Sequence, residues 1–235
     1  MMENLLKNEF TTHYALPVST IADITINTNE LYFEIEDNRD SENIVLHTTP
    51  HNGEARYYNP QQLSITIINY DRFFTNLSHA FQKGKKRCDL IVYSNNNEYF
   101  LLNELKEKSD RDDVRQNATK QLLESLKTII AIKSIQDFID RYIIKQCCIF
   151  SRQPIGISTQ IKATISAFNR LSTLSSKGYK MSNKEIEDLG FELWEFSGSQ
   201  TYLLEDGVSK IQGIAQQLTR LSTKEVKELT EILKS

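Results

Sequence analysis

Asp89-Leu-Ile-Val-Tyr-Ser-Asn-Asn-Asn-Glu-Tyr-Phe-Leu-Leu-Asn-Glu-Leu-Lys106 consists of two apolar runs joined by a short polar link, and its reading decides the fold. Asn tolerates positive φ and hydrogen-bonds its own backbone, so Asn95-Asn-Asn-Glu98 predicts a turn between two adjacent antiparallel strands. Side chains alternate along a strand, which points Glu104 and Lys106 one way and Leu105 the other. A carboxylate and an ammonium ending an otherwise buried strand are costly to desolvate without a partner or a task. Asp89, opening the neighbouring strand, is the nearest partner. Two carboxylates converging on one spot supply hard oxygen ligands for Mg²⁺. An ammonium beside them can orient a water and offset negative charge in a transition state.

Asp89, fourteen intervening residues and Glu104-Leu-Lys106 resemble the PD-(D/E)xK nuclease superfamily of restriction enzymes, resolvases and repair nucleases. The letters alone are cheap in a chain that is 25% charged, and Glu225-Val-Lys227 repeats them inside Ser222-Thr-Lys-Glu225, a capping box that opens a helix. Context separates the two copies, since only Glu104-Leu-Lys106 ends an apolar run preceded by a second one starting at Asp. The resemblance covers residues 70–151 and departs from the family in places. Cys88 stands where the family name has Pro. Residues 71–82 lack the Glu that many members carry in the first core helix, with Asn76 or His79 as stand-ins. The first core strand has no clear place between that helix and Cys88, because 82–87 is short and basic.

The resemblance implies an α/β fold with a restriction-endonuclease-like core of helix, strands, helix and strand, a mixed sheet flanked by helices. A strand-rich elaboration over 1–69 and an α+β elaboration over 152–235 would complete a single domain. It further implies a Mg²⁺-dependent endodeoxyribonuclease, with Mn²⁺ as a substitute, in which Asp89, Glu104 and the carbonyl of Leu105 hold the ion and Lys106 positions the attacking water. Gln116 and Gln121 both match an accessory Gln of some members. DNA is the implied partner, a restriction or defence role suits the size, and a homodimer follows the habit of many relatives. Two rivals from other classes are a catalytically inactive nuclease-fold module that binds nucleic acid or protein, against which Asp89, Glu104 and Lys106 together argue, and a small α/β protein with an incidental ion pair that acts through protein contacts.

Working outward, Phe73, Phe74, Leu77 and Phe81 predict an amphipathic helix over 71–81 capped by Asp71 and ended by Gly84. After the hairpin, Ser109-Asp-Arg-Asp112 reads as a helix start, and Val114, Ala118, Leu122, Leu126 and Ile129 form one stripe. Residues 143–150 follow as a strand, parallel to that of Glu104 if the helix is a crossover. Strands are also expected over 30–36, 43–47 and 63–68, and a hairpin of 191–196 and 201–204 across Ser197-Gly-Ser199. Helices are expected over 161–171, after a capping box at Ser182, and twice at the carboxy-terminal end.

A net charge of −3 gives no general attraction to nucleic acid, so binding must come from local patches. Lys83, Lys85, Lys86 and Arg87 precede the hairpin, and Arg111, Arg115 and Lys120 follow it, flanking the expected metal site. Arg56-Tyr57-Tyr58 offers charge and stacking, although aromatic strand residues more often pack. Cys88, Cys147 and Cys148 lack the spacing of zinc or disulfide frameworks and read as reduced thiols. The first residues lack a signal-like apolar core and no stretch has the length of a membrane span, which fits a cytoplasmic protein with no membrane partner.

Overall fold

The computed structural model describes residues 1–17, 24–38, 43–107, 112–152, 178–198 and 200–205. They belong almost wholly to a compact unit, Met1–Leu204; a second unit, Glu205–Ser235, follows. The expected helix at 161–171, the helix start at 109–111, the carboxy-terminal helices and Glu225-Val-Lys227 lie outside the described residues.

The chain opens with helix α1, three abutting segments Met2–Asn4, Leu5–Phe10 and Thr11–His13, the middle one π-helical. Strands β1 (Thr25–Thr28), β2 (Tyr32–Asn38), β3 (Asn43–His47), β4 (Ala55–Tyr58) and β5 (Ile65–Asn69) follow. Two short helices, α2 (Tyr70–Thr75) and α3 (His79–Gln82), precede β6 (Leu90–Ser94) and β7 (Tyr99–Lys106). Helices α4 (Asp112–Ile130) and α5 (Lys133–Ile139) lead to β8 (Ile144–Ser151). Strand β9 (Tyr179–Met181), helix α6 (Lys184–Asp188) and strands β10 (Glu192–Ser197) and β11 (Tyr202–Leu203) complete the described order.

The result is an α/β fold with a mixed seven-stranded sheet, β1-β5-β6-β7-β8-β10-β9, and a second sheet, β11-β4-β2-β3. Strands β5, β6 and β7 form an antiparallel meander, and β8 lies parallel to both β7 and β10. The hairpin turns at Asn97, which takes φ of 62°. Parallel β7 and β8 cannot be joined by a tight turn, so α4 and α5 make the crossover.

Both faces of the large sheet are covered, which is why β6 and β7 read as unbroken apolar runs rather than alternating ones. On one face Phe100, Leu102, Cys147 and Ile149 pack with Leu6 and Phe10 of α1, Phe73 and Phe74 of α2, and Leu122, Leu126 and Ile129 of α4. On the other, Tyr99, Leu101, Leu105, Cys148 and Phe150 pack with Phe33, Ile35, Tyr57 and Tyr202 of the small sheet. Residues of even number on β7 therefore face helices, and Glu104 and Lys106 share that parity. All three cysteines are free and buried.

Four expectations about elements are corrected. The helix expected over 71–81 is split, because Asn69 rather than Asp71 caps it by accepting from Arg72 N–H at 2.9 Å, and Ser78 is extended at ψ 139°. The strand that pairs with β6 ahead of it is β5, which precedes α2 and α3 instead of following them. Asn183, not Ser182, caps α6, its side chain accepting from Ile186 N–H at 3.1 Å. Finally, residues 201–204 do not return along β10. Arg56 donates to the Gly198 carbonyl, and the Tyr202 hydroxyl donates to Gln146 Oε1 at 2.6 Å. These contacts carry the chain across to the small sheet, where β11 runs parallel to β4. Arg56 and Tyr57 are buried, so they pack rather than present a stacking surface.

Candidate functional site

Asp89 stands one residue before β6, directly beyond the Leu90↔Asn103 pair, which sets it across the ladder from Glu104. Its backbone is fixed from two sides. The Asp89 N–H donates to Asn103 O at 3.1 Å, and its carbonyl accepts from Tyr70 and Asp71 N–H at 2.9 and 3.0 Å. Its carboxylate Oδ2 accepts from Leu105 N–H at 2.6 Å, crossing to the strand of Glu104. Leu105 thus contributes an N–H to the site, and its side chain lies in the opposite core.

Glu104 is fully buried. One carboxylate oxygen pairs with Lys106 Nζ, two residues along on the same strand face, as the alternation requires. The other, Oε2, is buried with no hydrogen-bond partner. Burial first, and then the charge of Asp89, push the Glu104 carboxyl well above the usual carboxylate range, while Lys106 pulls it back. Burial likewise raises Asp89 to about 7, against the opposing pull of the Leu105 N–H and Lys106, with Asp37 and Asp71 adding repulsion. Two facing acids that both resist ionisation, one with an orphaned oxygen, lack cationic charge; one ammonium does not neutralise two carboxylates.

Of the two candidate glutamines, the structure brings only Gln121 to the site. Its Oε1 accepts from Lys106 Nζ at 3.2 Å, and its Nε2 donates to Arg87 O at 3.0 Å. It projects from α4 onto the face of β7 that carries Glu104. Gln116, less than two turns earlier, is exposed and makes no such contact. Asn76 and His79 are exposed too, and Asn76 caps its own helix by donating to Arg72 O at 2.7 Å.

The basic residues separate into two groups. Lys83, Lys85 and Lys86 are exposed on the loop before Arg87, with Lys86 donating to Asn117 on α4 at 3.1 Å and Lys85 lying 4.3 Å from the Phe81 ring centroid. Lys120 is exposed on α4. Arg87 and Arg115 are engaged instead with protein carboxylates. Arg87 pairs with Asp71, and Arg115 Nε lies 3.0 Å from both oxygens of Glu195, the two lining a cavity of about 460 Å³ together with Asp112, Tyr179 and Gln200. Arg111 lies outside the described residues.

Asp71 is the residue that sequence reasoning missed. Read there as a helix cap, it pairs with Arg87, and its charge reaches both Asp89 and Glu104, adding to the repulsion that Asp37 exerts on Asp89. No local signal marks it, because the pairing of β5 with β6 that brings Asp71 near Asp89 is visible only in the fold. Among the described residues, no helix is long and apolar enough to cross a membrane. No family model, curated protein or solved structure matches the chain.

Proposed function

We propose that the protein is a metal-dependent nuclease that hydrolyses phosphodiester bonds, DNA in the first place, from a restriction-endonuclease-like core. The observation that carries this is Glu104: a fully buried carboxylate with one oxygen unpartnered, facing Asp89 and sharing a strand face with Lys106. The order of the meander β5-β6-β7, the crossover α4 and parallel β8 supports the same reading.

The residues fit Mg²⁺, or Mn²⁺ in its place. Asp89 and Glu104 would hold it through oxygen, the orphaned Oε2 being the free donor, and the ion would supply a Lewis acid for the scissile phosphate. Lys106 then orients the attacking water and offers positive charge as the phosphate gains negative charge. Gln121 fixes the ammonium by accepting from it, and ties α4 to the backbone of Arg87. The Leu105 N–H holds the Asp89 carboxylate in register with Glu104. Lys83, Lys85, Lys86 and Lys120 supply local attraction for a phosphate backbone that a net charge of −3 does not.

The test is incubation of plasmid and short duplexes with Mg²⁺ or Mn²⁺, beside Glu104→Ala and Lys106→Ala. Cleavage that needs the metal and falls by about 10²–10⁴-fold in both variants is expected. Binding without cleavage in the parent protein would instead make it a nucleic-acid-binding module.

A further inference from the structure

We propose a second metal site of different chemistry: Glu36, His47 and His51 bind a borderline divalent transition metal, Zn²⁺ in the first place. The ligand atoms of these three residues all lie within 4.8 Å of one another. Strands β2 and β3 pair Glu34 with His47 and Glu36 with Val45, so Glu34, Glu36 and His47 share one face of the small sheet. Phe33 and Ile35 point the other way, into the core.

The loop after β3 folds back over that face and delivers His51. Its course is fixed by Glu34, buried, whose Oε2 accepts from the N–H groups of His51, Asn52 and Gly53 at 3.2, 2.9 and 2.7 Å. Asn52 takes φ of 86°, and a Cβ on Gly53 would meet Ile35 O at 2.8 Å, so the return is built for this backbone. The imidazoles of His47 and His51 stack at 3.8 Å between centroids and 16° between planes. Both direct Nε2 at one atom, Glu36 Oε2, at 2.8 and 3.5 Å. The other carboxylate oxygen, Oε1, is held by Arg152 Nη2 at 2.9 Å.

Two imidazoles aimed at one oxygen compete for it as donors, and repel if both are cationic. A dication among the three atoms removes the conflict, since each ring then presents a neutral lone pair and the carboxylate its charge. The spacing fits. Ligands at about 2.0–2.1 Å around a tetrahedral ion stand about 3.3 Å apart, and the two observed separations from Oε2 fall either side of that value. Arg152 on the far oxygen and Glu34 on the loop are the outer contacts that orient such ligands. Three protein ligands leave a fourth position, and the His51 side chain is 56% exposed, so solvent reaches it. Two nitrogens set this site apart from the all-oxygen Asp89 and Glu104 pair, and it stands or falls independently of nuclease activity.

The chain has four histidines, His13, His47, His51 and His79, which makes the test selective. The full protein is titrated with ZnCl₂ in excess Mg²⁺, following the four imidazoles by NMR and bound zinc by equilibrium dialysis, with Co²⁺ as an optical probe. Expected are shifts of two imidazoles only, one zinc per chain, and visible Co²⁺ bands of tetrahedral intensity. His51→Ala, on an exposed loop, should lose the zinc and the bands while keeping the parent circular dichroism; Arg152→Gln should weaken binding about 10-fold or more. Retention in Glu104→Gln separates the two sites. Zinc uptake unchanged by His51→Ala and His47→Ala, uptake abolished by Glu104→Gln but not by them, or no shift of any imidazole would overturn the proposal.

Discussion

Replacing Asp89 by Asn should stabilise the metal-free protein while abolishing the proposed nuclease activity. Asn keeps an oxygen to accept the Leu105 N–H, so the change isolates the charge. Burial raises the Asp89 carboxyl from its ordinary 3.8 to about 7, which means that the native state holds its proton more tightly than the unfolded chain does. The stability this lends is fully present below about pH 4 and is lost as pH climbs towards 7. Each pH unit of that interval is ~1.4 kcal/mol, giving about 4 kcal/mol; residual solvent at the rim and coupling to Glu104 reduce it to about 2–4 kcal/mol. Urea unfolding in EDTA should therefore give equal stabilities for parent and variant near pH 4. The variant should gain between pH 4 and 7, and hold a constant lead above. Added Mg²⁺ should raise the midpoint of the parent and leave the variant unmoved. A variant less stable than the parent at pH 8, or a difference independent of pH, would refute the account of the site as an undercharged carboxylate pair.

Three further outcomes follow. If the proposed nuclease reading holds, Gln121→Ala should lower the cleavage rate about 10-fold with little effect on duplex affinity, whereas Gln116→Ala should change neither; the parameters are separated by single-turnover kinetics. Reversing the exposed loop charges with Lys85→Glu and Lys86→Glu should weaken duplex binding and flatten its dependence on salt, measured by anisotropy across a salt series. Leu126→Ala, emptying a fully buried position between α4 and the sheet, should cost about 2–5 kcal/mol in denaturant unfolding.

The hairpin and the convergence of its charged residues were legible because they rest on short-range rules. Asn at a turn and alternation along β7 suffice to place Glu104 and Lys106 together and to bring Asp89 opposite, and the parallel strand after α4 follows from the long apolar stripe between them. What stayed illegible depends on distant pairing. Nothing local says that 65–69, rather than a segment after Phe81, is the strand beside β6, because β5 and β6 are paired across two short helices. Nor does anything near Tyr202 show that its strand pairs with β4 instead of β10. Arg87 and Arg115 read as free cations in sequence because their partners, Asp71 and Glu195, are distant in the chain. The orphaned oxygen of Glu104 and the stacked histidines exist only in three dimensions.

The pairing of β11 with β4 has a consequence for how the chain is made. Tyr202 and Leu204 close the core beneath the small sheet, Leu204 donating its N–H to Tyr58 O at 2.8 Å. A nascent chain halted at Ser151 would possess Asp89, Glu104 and Lys106 yet lack the β10 neighbour of β8 and the Tyr202 plug over Tyr57. Such a product would expose sheet edge and aromatic surface together, the combination that favours aggregation during synthesis. Ribosome-stalled chains should accordingly become protease-resistant only once residues through Leu204 have cleared the exit tunnel.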